Sequence, residues 1–410
     1  MRNRYLDLLR AVATVRVVTY HVTGWTAFTI VFPAMSVMFA LAGSLMAASV
    51  DRFGVWAVER RLRRLLPSLW MIALIAVTTM LVTGTSSWSA QLLLWGFPID
   101  TPVASGWWIQ GLSHVWYLRD FLWMVLLSPI VLPVYRRFPV ATVLTPYVAL
   151  VIITLAGVTV PAVVQGLVLY GGAWLLGFAH HDGHLERIGR KRLLGIAAAL
   201  AVPAILWTVT HPSPRGYDLN DIPLGNALWS AAFILILLGW VRPPRVRESR
   251  VLTVLNARAL SIYLWHVPVV VAVTEFAVRH ALPLTGWVGV TWRLVVVFLL
   301  VGLMIALFGW LEDVAAGRRP VLLPGRRVAM PVSPAPAGAA SVLPATPVTR
   351  ATPVARATPV TPVTPVAPAT PVIAVAPVTL VSSPAAGAAP AAPVAAVPVP
   401  GAGTEAVSRR

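Results

Sequence analysis

The side chains best suited to chemistry lie in one apolar stretch near the start of the chain, residues 6–24. Arg10 and His21 are eleven residues apart, and a helix that turns about 100° per residue brings them within about 20° of each other. Asp7 and Thr14 fall on the same stripe. A neutral imidazole can take a proton from a hydroxyl near neutral pH, and a guanidinium can hold a phosphate. The stripe therefore predicts acid–base chemistry beside a cation site, with His21 as the base.

A structural interpretation of this stripe stays open. Arg10 could snorkel to lipid headgroups with Asp7 as its ion-pair partner, and His21 could be a core histidine bonded to a carbonyl. However, an ionisable group inside a bilayer helix costs at least about 2.5 kcal/mol, so it persists mainly where it faces a partner, a cavity or a reaction. Arg16 points away from the stripe and needs a partner of its own.

Three further segments add candidate binding residues. Arg61 and Arg64 are three residues apart on one predicted helical face, where two guanidinium forks suit bidentate binding of a phosphate. A basic cluster that only anchors the chain at the membrane surface is the alternative. Trp116 lies in an unusually polar part of the fourth apolar segment, and Tyr263 and His266 lie a few residues inside the cytoplasmic end of the ninth.

The fourth apolar segment also carries charges that we interpret as structural. Arg119 and Asp120 interrupt the run SHVWYLRDF, which is too polar to face lipid. We expect Asp120 to neutralise Arg16 or Arg119, and we class Asp7, Asp120 and Arg16 as supporting residues. The chain contains no cysteine, which excludes disulfides, thiolate zinc sites and a cysteine nucleophile, and we expect no metal.

The composition indicates which fold must position these groups. The 410 residues are 58% hydrophobic and 11% charged, whereas soluble domains have about 25% charged residues. Ten apolar runs are long enough to cross about 30 Å of hydrocarbon. They lie near residues 6–24, 33–50, 65–84, 114–134, 138–157, 159–179, 193–209, 225–241, 259–279 and 289–311. The sequence therefore predicts an all-α polytopic membrane protein with about ten transmembrane helices, the first of them an uncleaved span.

The distribution of basic residues predicts the orientation. The net charge of +18 would suggest a nucleic-acid partner in a soluble chain. If the N-terminus is cytoplasmic, the outer segments contain only Arg215 and Arg279, and the other basic loop residues lie inside. The positive-inside rule then predicts a multi-pass cell-membrane protein with both termini in the cytoplasm and no nucleic-acid partner. Of the outer segments, 85–113 suits an interfacial or re-entrant element, and 210–224 either touches a hydrophilic acceptor or is merely solvated.

The composition changes abruptly after Gly317. Residues 320–410 contain no aromatic residue, and six Thr-Pro-Val units lie between positions 346 and 372. Proline that recurs faster than a helical turn excludes a helix. We therefore predict an integral-membrane domain over residues 1–317 and a disordered cytoplasmic tail, rich in Pro, Ala, Val and Thr, over residues 318–410.

Four motifs occur in order along the chain. They are Leu6-Asp7-Leu8-Leu9-Arg10 with His21, Arg61-x-x-Arg64-x-x-Pro67, Trp116-Tyr117-Leu118 with Pro129, and Ile262-Tyr263-Leu264-Trp265-His266. Together they resemble the acyltransferase-3 family of membrane-bound O-acyltransferases, over roughly residues 1–315. The resemblance implies a ten-helix bundle that moves an acyl group, usually acetyl, from cytoplasmic acyl-CoA to a hydroxyl on an extracytoplasmic glycan or related surface molecule. It also implies that Arg10 and His21 are the functional pair and that Arg61 and Arg64 lie by the CoA entrance.

This resemblance and the residue chemistry lead to the same predicted mechanism. His21 is the candidate base, and Arg10, about 16 Å nearer the cytoplasm by helix rise, would hold the pantetheine or phosphate end of the donor. Trp116, Tyr263 and His266 join the two arginines of the third segment as predicted substrate- and CoA-binding residues. Acyl-CoA is a donor substrate, no cofactor is bound, and the other partners are a carbohydrate or lipid acceptor and membrane lipids. A transporter or flippase of a polar lipid or sugar is the alternative.

Overall fold

The structure is a computed structural model that describes residues 4–241, 246–247 and 249–321. The described residues are helical apart from turns, loops and one isolated β-bridge. The α-helices are α1 (Arg4–Thr23), α2 (Ala27–Val31), α3 (Ala34–Phe53), α4 (Trp56–Val82), α5 (Trp108–Gly111), α6 (Trp116–Arg137), α7 (Pro139–Ala156), α8 (Ala162–His181), α9 (His184–Ile188), α10 (Arg190–Thr210), α11 (Pro223–Leu235), α12 (Arg250–Ala257), α13 (Ala259–Arg279), α14 (Gly286–Phe308) and α15 (Trp310–Ala315).

Within the described ranges, nine helical segments are long and apolar enough to cross a membrane. They are Ala27–Phe53, Trp56–Val82, Trp116–Arg137, Pro139–Ala156, Ala162–His181, Arg190–Thr210, Pro223–Trp240, Ala259–Arg279 and Gly286–Phe308. The all-helical membrane fold predicted from the sequence is therefore confirmed. The predicted tenth span is α1, which has 20 residues but carries Asp7, Arg10 and Arg16. That span stays a prediction.

The α1 helix packs inside the bundle. It contacts α3, α12, α13 and α14. Its Val18 and Val22 are buried in an apolar cluster with Val269 of α13 and Val297 of α14. Because other helices cover one side of α1, the polar side chains on that side can face protein groups or cavities, the condition under which charges are tolerated at membrane depth.

Two glycines let α3 and α8 pack with their backbones in contact. A Cβ atom at Gly177 would collide with the Ala40 carbonyl and would lie 2.7 Å from the Ser44 backbone nitrogen. A Cβ atom at Gly43 would collide with the Trp174 carbonyl in the same way. Small residues at such crossings allow the close van der Waals packing that holds membrane helices together. This contact fixes α3, which contributes residues to the site described below.

We expect Gly177→Ala to destabilise the protein by about 1–3 kcal/mol or more, because the new methyl group would meet backbone atoms of Ala40 and Ser44, which cannot move aside. The measurement is thermal unfolding of the purified protein in detergent. Gly195→Ala is the matched control, since Gly195 lies within α10 with open space around its Cα. That control should be neutral or slightly stabilising, because alanine favours helix. Equal melting temperatures for the two variants would contradict the packing argument.

The segment 85–113 does not cross the membrane as a single helix. It contains a 3₁₀-helix, Ala90–Trp95, and the short α5. Its tryptophans anchor it: Trp95 Nε1 donates to the Val103 carbonyl at 3.0 Å, and Trp108 Nε1 donates to Thr79 Oγ1 of α4 at 2.6 Å. Because α5 packs on α13, the residues just before α6 lie against α13.

The loop between α10 and α11 is docked onto α1 and α2, so the interpretation of this loop as merely solvated is wrong. Asp218 is 0% exposed and accepts a hydrogen bond from the Tyr20 hydroxyl at 2.6 Å. The Leu219 amide donates to Thr29 Oγ1 at 3.2 Å. Arg215 pairs with Asp221 at 2.5 Å, and its guanidinium lowers the pKa of that carboxyl.

The end of the described chain is tied to the start of α13. Arg258 is fully buried, pairs with Asp313 of α15 at 2.6 Å, and also donates to the Val321 carbonyl. The Arg318 amide donates to the Asp313 carbonyl at 2.8 Å. Packed contacts thus continue four residues beyond position 317, where we predict the membrane domain to end. The predicted disordered tail lies outside the described residues from position 322 onward.

Candidate active site

Three histidines from different parts of the chain meet in the bundle. The ring of His21, in the last turn of α1, has its centroid 5.1 Å from that of His266 in α13. The ring of His266 is in turn 5.0 Å from that of His114, which immediately precedes the first turns of α6. The sequence predicts His266 near the cytoplasmic end of its span, and it does not single out His114 as a site residue. The structure instead joins all three into one cluster, which we call the histidine cluster.

The members of the histidine cluster differ in access to solvent and in hydrogen bonding. His266 is 1% exposed and His114 is 5% exposed, whereas His21 is exposed. His266 Nδ1 lies 2.6 Å from the Tyr263 carbonyl, which can only accept, so Nδ1 carries the hydrogen and Nε2 keeps a lone pair. Among the described residues, that Nε2 and both ring nitrogens of His114 have no hydrogen-bond partner. Buried polar atoms without partners are costly, so they mark a place where a proton, water or ligand is handled.

An apolar cavity adjoins the histidine cluster, and His266 is part of its wall. It lies between α1, α3, α6 and α13. Its lining comprises Thr14, Val17, Val18, Met35, Met38, Tyr117, Ala259, Ile262, Tyr263 and His266. The Thr14 hydroxyl donates to the Arg10 carbonyl at 2.9 Å, so it offers no free donor to the cavity. Such a space suits a short apolar group better than a sugar.

The predicted stripe on α1 runs along this cavity. Thr14 and Val17 line the cavity, and His21 lies beyond them at the end of the helix. Arg10, at the other end, is close enough to Arg61 of α4 for the two cations to interact electrostatically. Asp7 accepts a hydrogen bond from the Asn256 side chain through its backbone carbonyl at 2.8 Å. One face of α1 therefore connects a group of arginines with an accessible imidazole.

The four arginines before Leu65 divide into two pairs. The guanidinium of Arg60 lies 3.9 Å from the centre of the Phe53 ring, and Arg63 pairs with Glu59 at 2.5 Å. Arg61 and Arg64 have no such partner in the part of the chain that the structure describes. They are the two that the sequence analysis proposes as phosphate ligands.

Tyr117 faces the cavity, and the neighbouring Trp116 does not line it. Trp116 stacks on Tyr170 of α8, with ring centroids 5.5 Å apart. The ring of Tyr117 contacts those of Phe39 and Tyr263 at 4.7 and 5.3 Å. The Tyr263 hydroxyl donates to the His114 carbonyl at 2.6 Å, so Tyr263 helps to hold His114 in place.

Of the two predicted partners for Asp120, the structure selects Arg119. The two side chains pair at 2.8 Å, and both are buried. The alternative pair with Arg16 is wrong. Arg16 Nε donates to the Phe28 carbonyl at 3.0 Å, and its guanidinium lies 5.1 Å from the Tyr20 ring. The sequence could not reveal this, because the acceptor is a backbone carbonyl brought close by the turn after α1.

One group of carboxylates and imidazole could in principle hold a metal ion: Asp51, His181 and Asp182. Arg136 lies between the two carboxylates, at 2.7 Å from Asp51 and 2.8 Å from Asp182. His181 also bonds to Asp51, at 2.8 Å. The Arg136 guanidinium already occupies both carboxylates, so the group is an ion-pair network between α3, α6 and α8.

Comparison with known proteins identifies one matching family model. It is described as an acyltransferase domain, of the acyltransferase-3 type, and it matches residues 3–309. No curated protein and no solved structure matches the chain. The matched range begins before α1 and ends after α14, so it contains the histidine cluster, the apolar cavity and the arginines of α4.

Proposed function

Because this chain belongs to the acyltransferase-3 family and is thus an acyl-group transferase, we propose that it moves an acyl group, most simply acetyl, from cytoplasmic acyl-CoA to a hydroxyl on an extracytoplasmic glycan, glycolipid or related surface molecule. The chain is a multi-pass membrane protein, and we place both termini in the cytoplasm. The donor arrives from the side that holds Arg61 and Arg64, and the acceptor arrives from the side that holds His21.

The observation that carries this proposal is the contact between an exposed His21 and the enclosed His266 at one end of the apolar cavity. His21 takes the proton from the acceptor hydroxyl, and the hydroxyl oxygen attacks the thioester carbonyl carbon. The carbon–sulfur bond breaks, and the departing CoA thiolate takes the proton from the His21 imidazolium. His266, whose Nδ1–H is committed to the Tyr263 carbonyl, offers its Nε2 lone pair to orient the His21 ring.

In the proposed function, the acyl donor binds at the Arg10 end of the α1 stripe, opposite to His21. Arg10, Arg61 and Arg64 bind the phosphates of acyl-CoA, and the apolar cavity accepts its acyl end. Arg64 is exposed and Arg61 is half-buried, and neither has a carboxylate partner among the described residues, which suits bidentate phosphate binding. The same His21 would serve an acyl-imidazole route, in which its ring first takes the acyl group from CoA and then passes it to the hydroxyl.

The test is transfer of a labelled acetyl group from acetyl-CoA into glycan and lipid fractions of whole cells, compared between wild type and a deletion strain. We expect label in an extracytoplasmic fraction of wild-type cells and a loss of that label in the deletion. A transporter or flippase would move its substrate without consuming acyl-CoA. Equal labelling in the two strains would contradict the proposed reaction.

A further inference from the structure

A second pocket shares a lining residue with the first and has several polar side chains in its wall. Its polar side chains are Arg16, Thr29, Ser36, Asn220 and Asn226. Met35 lines both of them. We call this second space the Arg16 pocket.

Arg16 is a buried cation whose terminal nitrogens have no hydrogen-bond acceptor among the residues that the structure describes. Its side chain is only 8% exposed, and its one hydrogen bond uses Nε, which donates to the Phe28 carbonyl. Within the described ranges, no carboxylate lies within ion-pair distance of Arg16. Asp218, the nearby carboxylate, already accepts from the Tyr20 hydroxyl and the Asn220 amide, and Arg215 lies 3.5 Å from it. Burial of a guanidinium without a paired anion is strongly unfavourable, so the pocket is built for a group that completes it.

One further side chain in the pocket wall, Asn226, has amide donors left over. Asn226 is buried, and its Oδ1 accepts from the Ser230 hydroxyl at 2.9 Å, so its amide N–H groups remain for the pocket. The Thr29 hydroxyl is already used, because it donates to the Thr26 carbonyl and accepts from the Leu219 amide. A buried guanidinium beside an amide donor is complementary to an oxyanion.

The Arg16 pocket is close to the proposed base. The Arg16 guanidinium lies over the Tyr20 ring, and the Tyr20 ring centroid is 5.4 Å from that of His21. Both Arg16 and Arg215 lie within electrostatic range of His21. A ligand group held by Arg16 would therefore place neighbouring parts of the same molecule near His21.

We propose that the Arg16 pocket binds an oxyanion of the acceptor, a carboxylate or a phosphate, so that the enzyme selects acidic acceptors. That the bound molecule is the acyl acceptor rests on the proposed function, whereas the binding of an oxyanion rests on Arg16 and Asn226 alone. The carboxylate of a uronic acid and the phosphate of a phosphorylated glycan share this chemistry, and the experiment separates them.

The experiment measures ligand binding to the purified full chain in lipid nanodiscs by calorimetry. The probes are methyl glucuronide, glucose 1-phosphate and the neutral methyl glucoside. All proteins carry Arg61→Ala and Arg64→Ala, so that those two arginines cannot supply the binding. We expect at least one anionic probe to bind about tenfold or more tightly than methyl glucoside, and Arg16→Gln to abolish that preference. Which anionic probe binds identifies carboxylate or phosphate.

Two further variants keep the test decisive. Arg293→Gln is the matched control, because Arg293 of α14 bonds to the Leu284 and Gly289 carbonyls and does not line the pocket. It should leave the preference unchanged. Asn226→Asp places a negative charge in the pocket without touching Arg16, and it should weaken anionic probes about tenfold. This variant decides the question if Arg16→Gln does not fold.

Equal binding of neutral and anionic probes by the parent protein would overturn the proposal, as would an anionic preference that survives both Arg16→Gln and Asn226→Asp. The readout needs no acyl transfer. If labelled transfer fails while anionic probes bind through Arg16, the proposed function falls and the oxyanion site stands. If transfer succeeds and the preference is absent, only the oxyanion site falls.

Discussion

Replacing His21 with alanine or glutamine is expected to lower acyl transfer per molecule by about a hundredfold to ten-thousandfold. Neither residue can take a proton from a hydroxyl at neutral pH. The protein should still insert and accumulate, because His21 is exposed and its loss strands no buried charge. The measurement is the initial rate of labelled acyl transfer in membranes, divided by the amount of protein from quantitative immunoblotting.

His280→Gln is the matched control for His21. His280 is also exposed and also follows a long helix, but its ring contacts Phe276 and lies outside the histidine cluster. It should retain full activity. If His21 were only a packing residue, its substitution would lower abundance while activity per molecule survived. Full specific activity in His21→Ala would remove His21 as the base and favour a transporter.

The double variant Arg61→Ala/Arg64→Ala is expected to raise the KM for acyl-CoA by about 10- to 100-fold, with a smaller change in kcat. The reason is that these two guanidinium groups lack partners among the described residues and lie on one helical face. The loss should be largest at low ionic strength, because salt already screens exposed charges. Steady-state kinetics at several salt concentrations, with purified protein in nanodiscs, provide the measurement.

The same helical turns supply the control. Arg60→Ala/Arg63→Ala removes an equal charge, but Arg60 lies over Phe53 and Arg63 is paired with Glu59. We expect this control to change KM by no more than about twofold, as is usual for exposed charges without a specific contact. Similar KM values for the two double variants would mean that the segment attracts CoA only through its overall charge, or serves only to anchor the helix.

The helices were largely predictable because the bilayer imposes their length. A run of about 20 apolar residues must satisfy its backbone hydrogen bonds internally, so hydropathy alone locates such spans. The harder case is α1. Its charges make it too polar to count among the helices that are apolar enough to cross a membrane, although it packs against other helices of the bundle. For α1 the helical period still predicted the polar face, because it placed Asp7, Arg10, Thr14 and His21 on one side of the helix.

Contacts between helices were not predictable, because they depend on the relative heights of helices and on loops. The sequence places His266 near one membrane surface and His21 near the other. The Asn256 side chain, just before α13, bonds to the Asp7 carbonyl and so ties the start of α13 to the start of α1. His114 enters the cluster through the folded segment before α6. The partner of Arg16 is a carbonyl, and a backbone atom leaves no signal in the residue types.

Met35 bears on how the two substrates of the proposed reaction would meet. It lines both the apolar cavity and the Arg16 pocket, so one side chain contacts both spaces. Methionine is unbranched and changes rotamer readily, on the scale of about picoseconds to nanoseconds for unhindered side chains. In the proposed reaction, a change of the Met35 rotamer would let the acyl group pass between the two spaces, without the rocking of helix bundles that alternating access requires. Each substrate would then stay on its own side of the membrane, and only the small transferred group would cross.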